Sequence, residues 1–171
     1  MRAVVQRVLR ASVEVTDSTP STSSGQASAS SPQAGQIVSR IGRGLLVYLS
    51  VGKGDSGADA EFIADKLVNL RIFADEANKM NCSIKDSGGA ILLVSNFTLH
   101  GDCRKGRRPG FDAAAEPAIA EPLYDKTALL IADKGVKVAK GVFRAYMQVS
   151  SINDGPVTFL LDSSLTREIR S

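Results

Sequence analysis

The five residues Ser95-Asn96-Phe97-Thr98-Leu99 follow the most apolar run of the chain, Ala90 to Val94. Hydroxyl and amide groups replace Val and Leu there. If the strand continues, alternation puts Asn96 and Thr98 on one face and Ser95, Phe97 and Leu99 on the other. A polar strand end either faces solvent or docks a ligand, and the residues alone leave both readings open. A second stretch, Asn153-Asp154-Gly155-Pro156-Val157-Thr158, sets a Gly-Pro pair between two segments that read as strand, 143–149 and 157–162. Proline cannot donate to a strand ladder, and glycine in a strand marks weak pairing or close approach of backbone to something else. The pair is either an ordinary turn or a backbone surface offered to a ligand. A third stretch, residues 103–109, gathers Arg104, Lys105, Arg107 and Arg108 into one short loop. Such a loop is a solvated surface or a phosphate-contacting patch.

Other catalytic sets are poorly supplied. His100 is the one histidine, and no GxSxG elbow accompanies it. The expectation is a surface histidine at a strand end. Asp102, Asp112, Glu116 and Asp154 read as solvated loop carboxylates. Cys82 and Cys103 are not in a CxxC spacing and are expected to be free thiols. With one histidine and two cysteines, no metal site is expected, because such sites take three or four ligands.

The chain of 171 residues is 43% hydrophobic and 5% aromatic, with no tryptophan. This suits one soluble domain with a sizeable core. The net charge of +3 permits nucleic-acid binding without requiring it. No apolar run reaches the roughly 20 residues that span a bilayer. The opening residues alternate apolar side chains with Arg and Gln, unlike a signal peptide. A cytoplasmic protein is expected.

The elements that must position these residues follow from periodicity. Residues 2–16 alternate as a strand. Residues 16–35 are rich in Ser, Thr, Ala, Gly and Gln and read as a flexible insertion. Residues 35–55 hold two strands about Gly42–Gly44, the second of them central. Residues 56–73 form a helix with Phe62, Ile63, Leu67 and Leu70 on one face. A loop or hairpin leads to the strand at 90–102. A second helix spans 115–135, with Ile119, Leu123, Leu130 and Ile131 as its stripe, Pro122 near its start and Gly135 as its cap. Strands near 136–149 and 156–162 close the fold, and 163–171 reads as a loose tail. The sum is a single mixed α/β domain over 1–171, mostly β with two long helices.

The segments SNFTL (95–99) and NDGPVT (153–158), taken together, resemble the paired signatures of the D-aminoacyl-tRNA deacylases. AVVQRVLRASVEV (3–15), RIFADEANKMN (71–81), GRRPGF (106–111) and LYD (123–125) resemble further parts of that family. The resemblance implies a β-rich α/β domain with two packed sheets, barrel-like, and helices on one side. It implies a homodimer with the site at the subunit interface and no cofactor or metal. It implies hydrolysis of the ester joining a D-amino acid to the terminal adenosine of tRNA, with glycyl-tRNA as a second substrate. Gly155 and Pro156 match the family's Gly-cis-Pro pair, which reaches into the partner's site. A rigid backbone wall of that kind would sense chirality at the α-carbon, because an L side chain points into it and a hydrogen does not. Ser95, Phe97, Thr98 and Leu99 match the family's strand motif, whereas Asn96 stands where the family has Gln.

By the same resemblance, Thr98 matches a residue once proposed as nucleophile. A hydroxyl needs a base, and the sequence offers none. The expected mechanism is therefore attack by water, assisted by the ribose hydroxyl, with backbone N–H groups near Phe97 and Thr98 holding the oxyanion. Phe97 either stacks on the terminal adenine or sits in the core. Arg7 matches an arginine near the Gly-Pro loop, and Arg104, Lys105, Arg107 and Arg108 would meet acceptor-stem phosphates. Two rivals stand beside this: a nucleic-acid-binding module without catalysis, and a hydrolase of small D-amino acid esters.

Overall fold

The protein is described here by a computed structural model, which places residues 1–16 and 36–165. The 17–35 part of the expected insertion and residues 166–171 of the expected tail lie outside the described residues. Eight strands and two helices follow in order: β1 (Arg2–Val15), β2 (Gln36–Ile41), β3 (Gly44–Ser50), α1 (Gly57–Asn69), β4 (Phe73–Ala74), β5 (Met80–Cys82), β6 (Ala90–Ser95), α2 (Pro117–Asp133), β7 (Lys137–Lys140) and β8 (Met147–Asp162). A 310 turn, Phe97–His100, follows β6.

The sheet is organised by β1. Along one edge it pairs antiparallel first with β3 and then with β2. Along the other edge it pairs antiparallel with β8. β3, β6 and β7 then run parallel in that order. Parallel neighbours need crossovers, and right-handed crossovers in one direction bring their helices to one face. α1 and α2 accordingly share a core with that face.

Alternation within the central strands separates two cores. Leu45, Val47, Leu49, Ile91 and Leu93 pack with Ile63, Leu67, Tyr124 and Ile131 of the helices. Leu46, Leu92 and Val94 point the other way and meet Val8, Val13 and Ile41 inside the curl of the sheet. A strand buried on both faces reads as a continuous apolar run, which is why β3 and β6 look as they do in sequence. The expected barrel-like fold with helices on one side is what forms: one six-stranded sheet curled nearly closed, and a separate β4–β5 ribbon. At the start of β3 a side chain on Gly44 would collide with the Ala90 backbone, so glycine permits the close approach of β3 to β6.

Several local expectations are corrected. The segment 136–149 is not one strand: β7 ends at Lys140 and a turn separates it from β8. β8 runs on through Gly155-Pro156 as one element of 16 residues. Its ladder to β1 is broken, however, since Val8 pairs with Asn153 and Gln6 with Thr158. Residues 154–157 therefore bulge out opposite Arg7. In α2, Ile119 is exposed, and the buried face is Tyr124, Thr127, Ala128 and Ile131. Pro122 lies inside that helix, beyond its first turn. Ser163, expected at the start of a loose tail, is buried and donates its N–H to the Met1 carbonyl at 2.9 Å. Among the described residues no helix is long and apolar enough to cross a membrane.

Candidate active site

The last rung of β6 is the Asn96 N–H donating to the Leu49 carbonyl at 2.8 Å. There the strand stops. The Asn96 side chain accepts from the Thr98 N–H at 3.1 Å and from the Thr98 hydroxyl. Asn offers its own backbone such local bonds in place of a ladder, and the chain winds into the turn Phe97–His100. The expected alternation of Asn96 and Thr98 against Phe97 and Leu99 thus ends at Ser95. Leu99 is held by its carbonyl, which accepts from Arg2 Nη1 at 3.2 Å.

The turn presents Phe97 outward. Its side chain is 58% exposed, so it is not a core residue. Its ring meets Phe111 edge to face, with centroids 5.0 Å apart. Both rings stand on a cleft of about 580 Å³, which Ser95, Asn96, Tyr124 and Tyr146 also line. The cleft is mostly apolar with a few polar groups, the usual composition of a small-molecule site. Tyr124 donates its hydroxyl to the Leu93 carbonyl at 2.8 Å. Burial pushes its pKa well above the ordinary tyrosine value, so it stays neutral and fixes the cleft wall.

Of the two N–H groups expected to hold an oxyanion, that of Thr98 is occupied by Asn96. The Phe97 N–H makes no hydrogen bond among the described residues. One donor is open, not two. The Thr98 hydroxyl donates to an amide oxygen, which is not a base.

His100 is not a surface histidine. It is 9% exposed, and Nδ1 lies 2.6 Å from Ser50 Oγ. Burial, with Arg2 nearby, lowers its pKa below the ordinary 6.5. Ser50 is only 2% exposed. Ser50 also borders the cleft, and the contact ties the turn to β3.

Gly155-Pro156 is a cis peptide bond. Arg7 holds the bulge that carries it: Nε donates to the Asp154 carbonyl at 3.0 Å and pairs with its carboxylate, while Nη1 donates to the Ile72 carbonyl at 2.5 Å. Asn153 Nδ2 donates to the Arg7 carbonyl at 2.9 Å. Gly155 and Pro156 are exposed and do not line the cleft of their own chain.

The basic loop is pinched by Asp102 and Gly110, which exchange backbone bonds of 2.7 and 3.0 Å. Arg104 forks onto Asp102 at 2.9 and 2.7 Å and holds its carboxyl far below the usual range. Lys105, Arg107 and Arg108 are exposed. Cys82 and Cys103 are free thiols. Among the described residues no group of three or more His, Cys, Asp or Glu is placed to hold a metal. Sequence reasoning missed Phe111, Arg144 and Tyr146 as cleft residues. Their lining role depends on the packing of loop 110–116 against residues 51–53 after β3 and of loop 141–146 against β6, for which periodicity gives no signal.

The fold and cleft are those of a small β-rich α/β hydrolase. Residues 4–162 match the family described as D-Tyr-tRNA(Tyr) deacylase, and the chain belongs to that family. A D-aminoacyl-tRNA deacylase of Halothermothrix orenii is 50% identical over 96% of this chain and 98% of its own. One from Koribacter versatilis is 51% identical over 95% and 97%. Among solved structures, a c-Myc DNA Unwinding Element Binding Protein superposes with a TM-score of 0.79 at 37% identity, covering 95% of this chain and 98% of that one. A probable eukaryotic D-amino acid tRNA deacylase shares the fold, with a TM-score of 0.72 at 18% identity, covering 94% and 97%.

Proposed function

We propose that the chain is a cytoplasmic homodimer that hydrolyses the ester of D-aminoacyl-tRNA, and of glycyl-tRNA, as chiral proofreading. What carries the substrate assignment is identity of about one half, over nearly the whole chain, to proteins named for that activity. The cleft geometry supports the placing of the terminal nucleoside. The terminal adenosine enters the cleft, with its base against Phe97 and with Phe111 bracing that ring. Ser95 and Asn96 line the floor.

The Gly155-Pro156 bulge, clamped by Arg7 and exposed away from its own cleft, serves the cleft of a second copy. Its backbone stands against the α-carbon. An L side chain meets that wall, a D side chain turns away, and glycine presents only hydrogen. Water attacks the ester carbonyl with help from the ribose 2′-hydroxyl. The Phe97 N–H steadies the oxyanion, and the ester C–O bond breaks to give a free amino acid and a 3′-hydroxyl. Lys105, Arg107 and Arg108 meet acceptor-stem phosphates, with Arg104 in a lesser role.

The test is deacylation of D-tyrosyl-tRNA and L-tyrosyl-tRNA side by side. Cleavage of the D form alone is expected. Equal cleavage of both removes the chiral wall. Binding of tRNA without turnover favours the second reading, a nucleic-acid-binding module, which the DNA-binding name of one solved relative keeps in view. Cleavage of D-tyrosine methyl ester as fast as the tRNA ester would favour a small-ester hydrolase.

A further inference from the structure

The turn between β7 and β8, residues 141–146, closes one side of the cleft. Its backbone is held at several points. The Gly141 N–H donates to the Leu93 carbonyl at 2.9 Å, the Ala145 N–H to the Val142 carbonyl at 3.2 Å, and the Tyr146 carbonyl accepts from the Thr16 N–H at 3.0 Å. Within this frame Arg144 has φ of 62°. Asn78 is the other non-glycine residue with positive φ among the described residues. Asn tolerates that conformation through its short polar side chain, but arginine has no such help. Glycine would occupy position 144 without penalty. A residue kept in a conformation it disfavours is a reason to ask what its side chain does.

Arg144 lines the cleft and is exposed. Among the described residues it makes no ion pair and no hydrogen bond. By contrast, Arg2, Arg7 and Arg104 are each paired with a carboxylate. The one acidic group on the cleft, Glu116, is not paired with it. A single unpartnered guanidinium therefore stands on a mostly apolar, aromatic-walled cleft whose other charged group is Glu116. Guanidinium groups bind phosphate oxygens through two parallel N–H bonds. A cleft that takes a base and ribose needs a cation where the ribose continues into the phosphodiester.

We propose that Arg144 grips the phosphate on the 5′ side of the nucleoside in the cleft, and so makes this chain prefer a terminal nucleotide within RNA over the bare aminoacyl-nucleoside. This rests on the deacylase reading above and adds a specificity residue to it. Arg144 is a binding residue here and touches no reacting bond.

The experiment compares the full chain with Arg144→Gly and Arg144→Lys, on D-tyrosyl-tRNA and on D-tyrosyl-adenosine, which has no 5′-phosphate. Glycine suits the backbone at this position, so Arg144→Gly keeps or raises Tm and a loss cannot be ascribed to misfolding. Expected for Arg144→Gly is a KM for D-tyrosyl-tRNA raised about tenfold, as for one lost charged hydrogen-bond pair. The rise is confined to the phosphate-bearing substrate. The log–log salt slope of tRNA binding falls by about one. Arg144→Lys recovers part of the loss. Equal losses on both substrates, a change in kcat alone, or no change with tRNA overturn the proposal while leaving the deacylase reading in place. If the unaltered chain cleaves neither substrate, the deacylase reading fails and takes this inference with it.

Discussion

Asn96 folds back on Thr98: its Oδ1 accepts both the Thr98 N–H, at 3.1 Å, and the Thr98 hydroxyl. The residue best placed to be read as a nucleophile is thereby held as a donor to an amide, and the N–H that would complete an oxyanion pair is spent on the same cap. On the proposed mechanism the hydroxyl organises the turn that presents Phe97 instead of reacting.

Thr98→Ala is accordingly expected to keep most of its turnover. Loss of one neutral hydrogen bond is worth about 0.5–1.5 kcal/mol, or about two- to tenfold in kcat, with tRNA affinity unchanged. Asn96→Ala is expected to lose more, because it releases the backbone of the turn as well as the hydroxyl. Single-turnover deacylation of both variants is the measurement. A thousandfold loss in Thr98→Ala with tRNA still bound would make the hydroxyl the nucleophile.

How much of this was legible in the sequence depends on range. β3 and β6 announce themselves because both of their faces are buried, and α1 because Ile63 and Leu67 fall on one stripe. The end of β6 does not, since Asn96 and Thr98 continue a plausible alternation and only the side-chain cap stops it. His100 looked exposed because its partner, Ser50, is fifty positions away at the end of β3. The Gly-Pro pair was visible as an interruption. That it bulges from a strand that carries on depends on its register against β1, which local sequence does not encode. In α2, Ile119 sits on the wrong side because the helix meets the sheet through Tyr124 and Ile131, an orientation set by tertiary packing.

The bulge offers a second test. A Cβ on Gly155 would run into Asn153 Oδ1 and lie 2.9 Å from Val157 N. Asn153 must then give up its position on the Arg7 carbonyl. Gly155→Ala is expected to lose about 1–3 kcal/mol of stability, as for other overpacked sites. Its kcat/KM for D-tyrosyl-tRNA should fall far more than its tRNA affinity. Urea midpoints and paired kinetic and binding curves measure the two effects. An active variant with unaltered D-over-L preference would show that the bulge is not the chiral wall.

The basic loop predicts a ranking. Arg104 is already neutralised by Asp102, whereas Lys105, Arg107 and Arg108 carry no such pair among the described residues. Each phosphate contact contributes about 0.7–0.9 to the slope of log K against log salt. Arg107→Ala and Arg108→Ala should each lower the slope by about that much, and Arg104→Ala by clearly less. Filter-binding titrations with tRNA at several salt concentrations decide it. Equal slopes for all the variants and the unaltered chain would take the loop off the RNA.

Acid should weaken the fold through His100. Burial first, and Arg2 second, lower its pKa below the ordinary 6.5. Above that value the ring is neutral in both the folded and the unfolded chain, and no proton is exchanged on unfolding. Below it the unfolded chain binds a proton that the folded chain refuses. Stability rises with pH wherever the unfolded state holds more protons, so it falls as pH drops from about 6.5 towards the lowered folded value. One proton limits the slope to about 1.4 kcal/mol per pH unit. Carboxylates titrate mostly lower, which leaves the range just below pH 6.5 as the window in which His100 dominates. Urea midpoints across that window should drop for the unaltered chain and drop less for His100→Gln. Parallel curves for the two proteins would mean that the buried ring accepts its proton without disturbing the Ser50 contact or the turn it anchors.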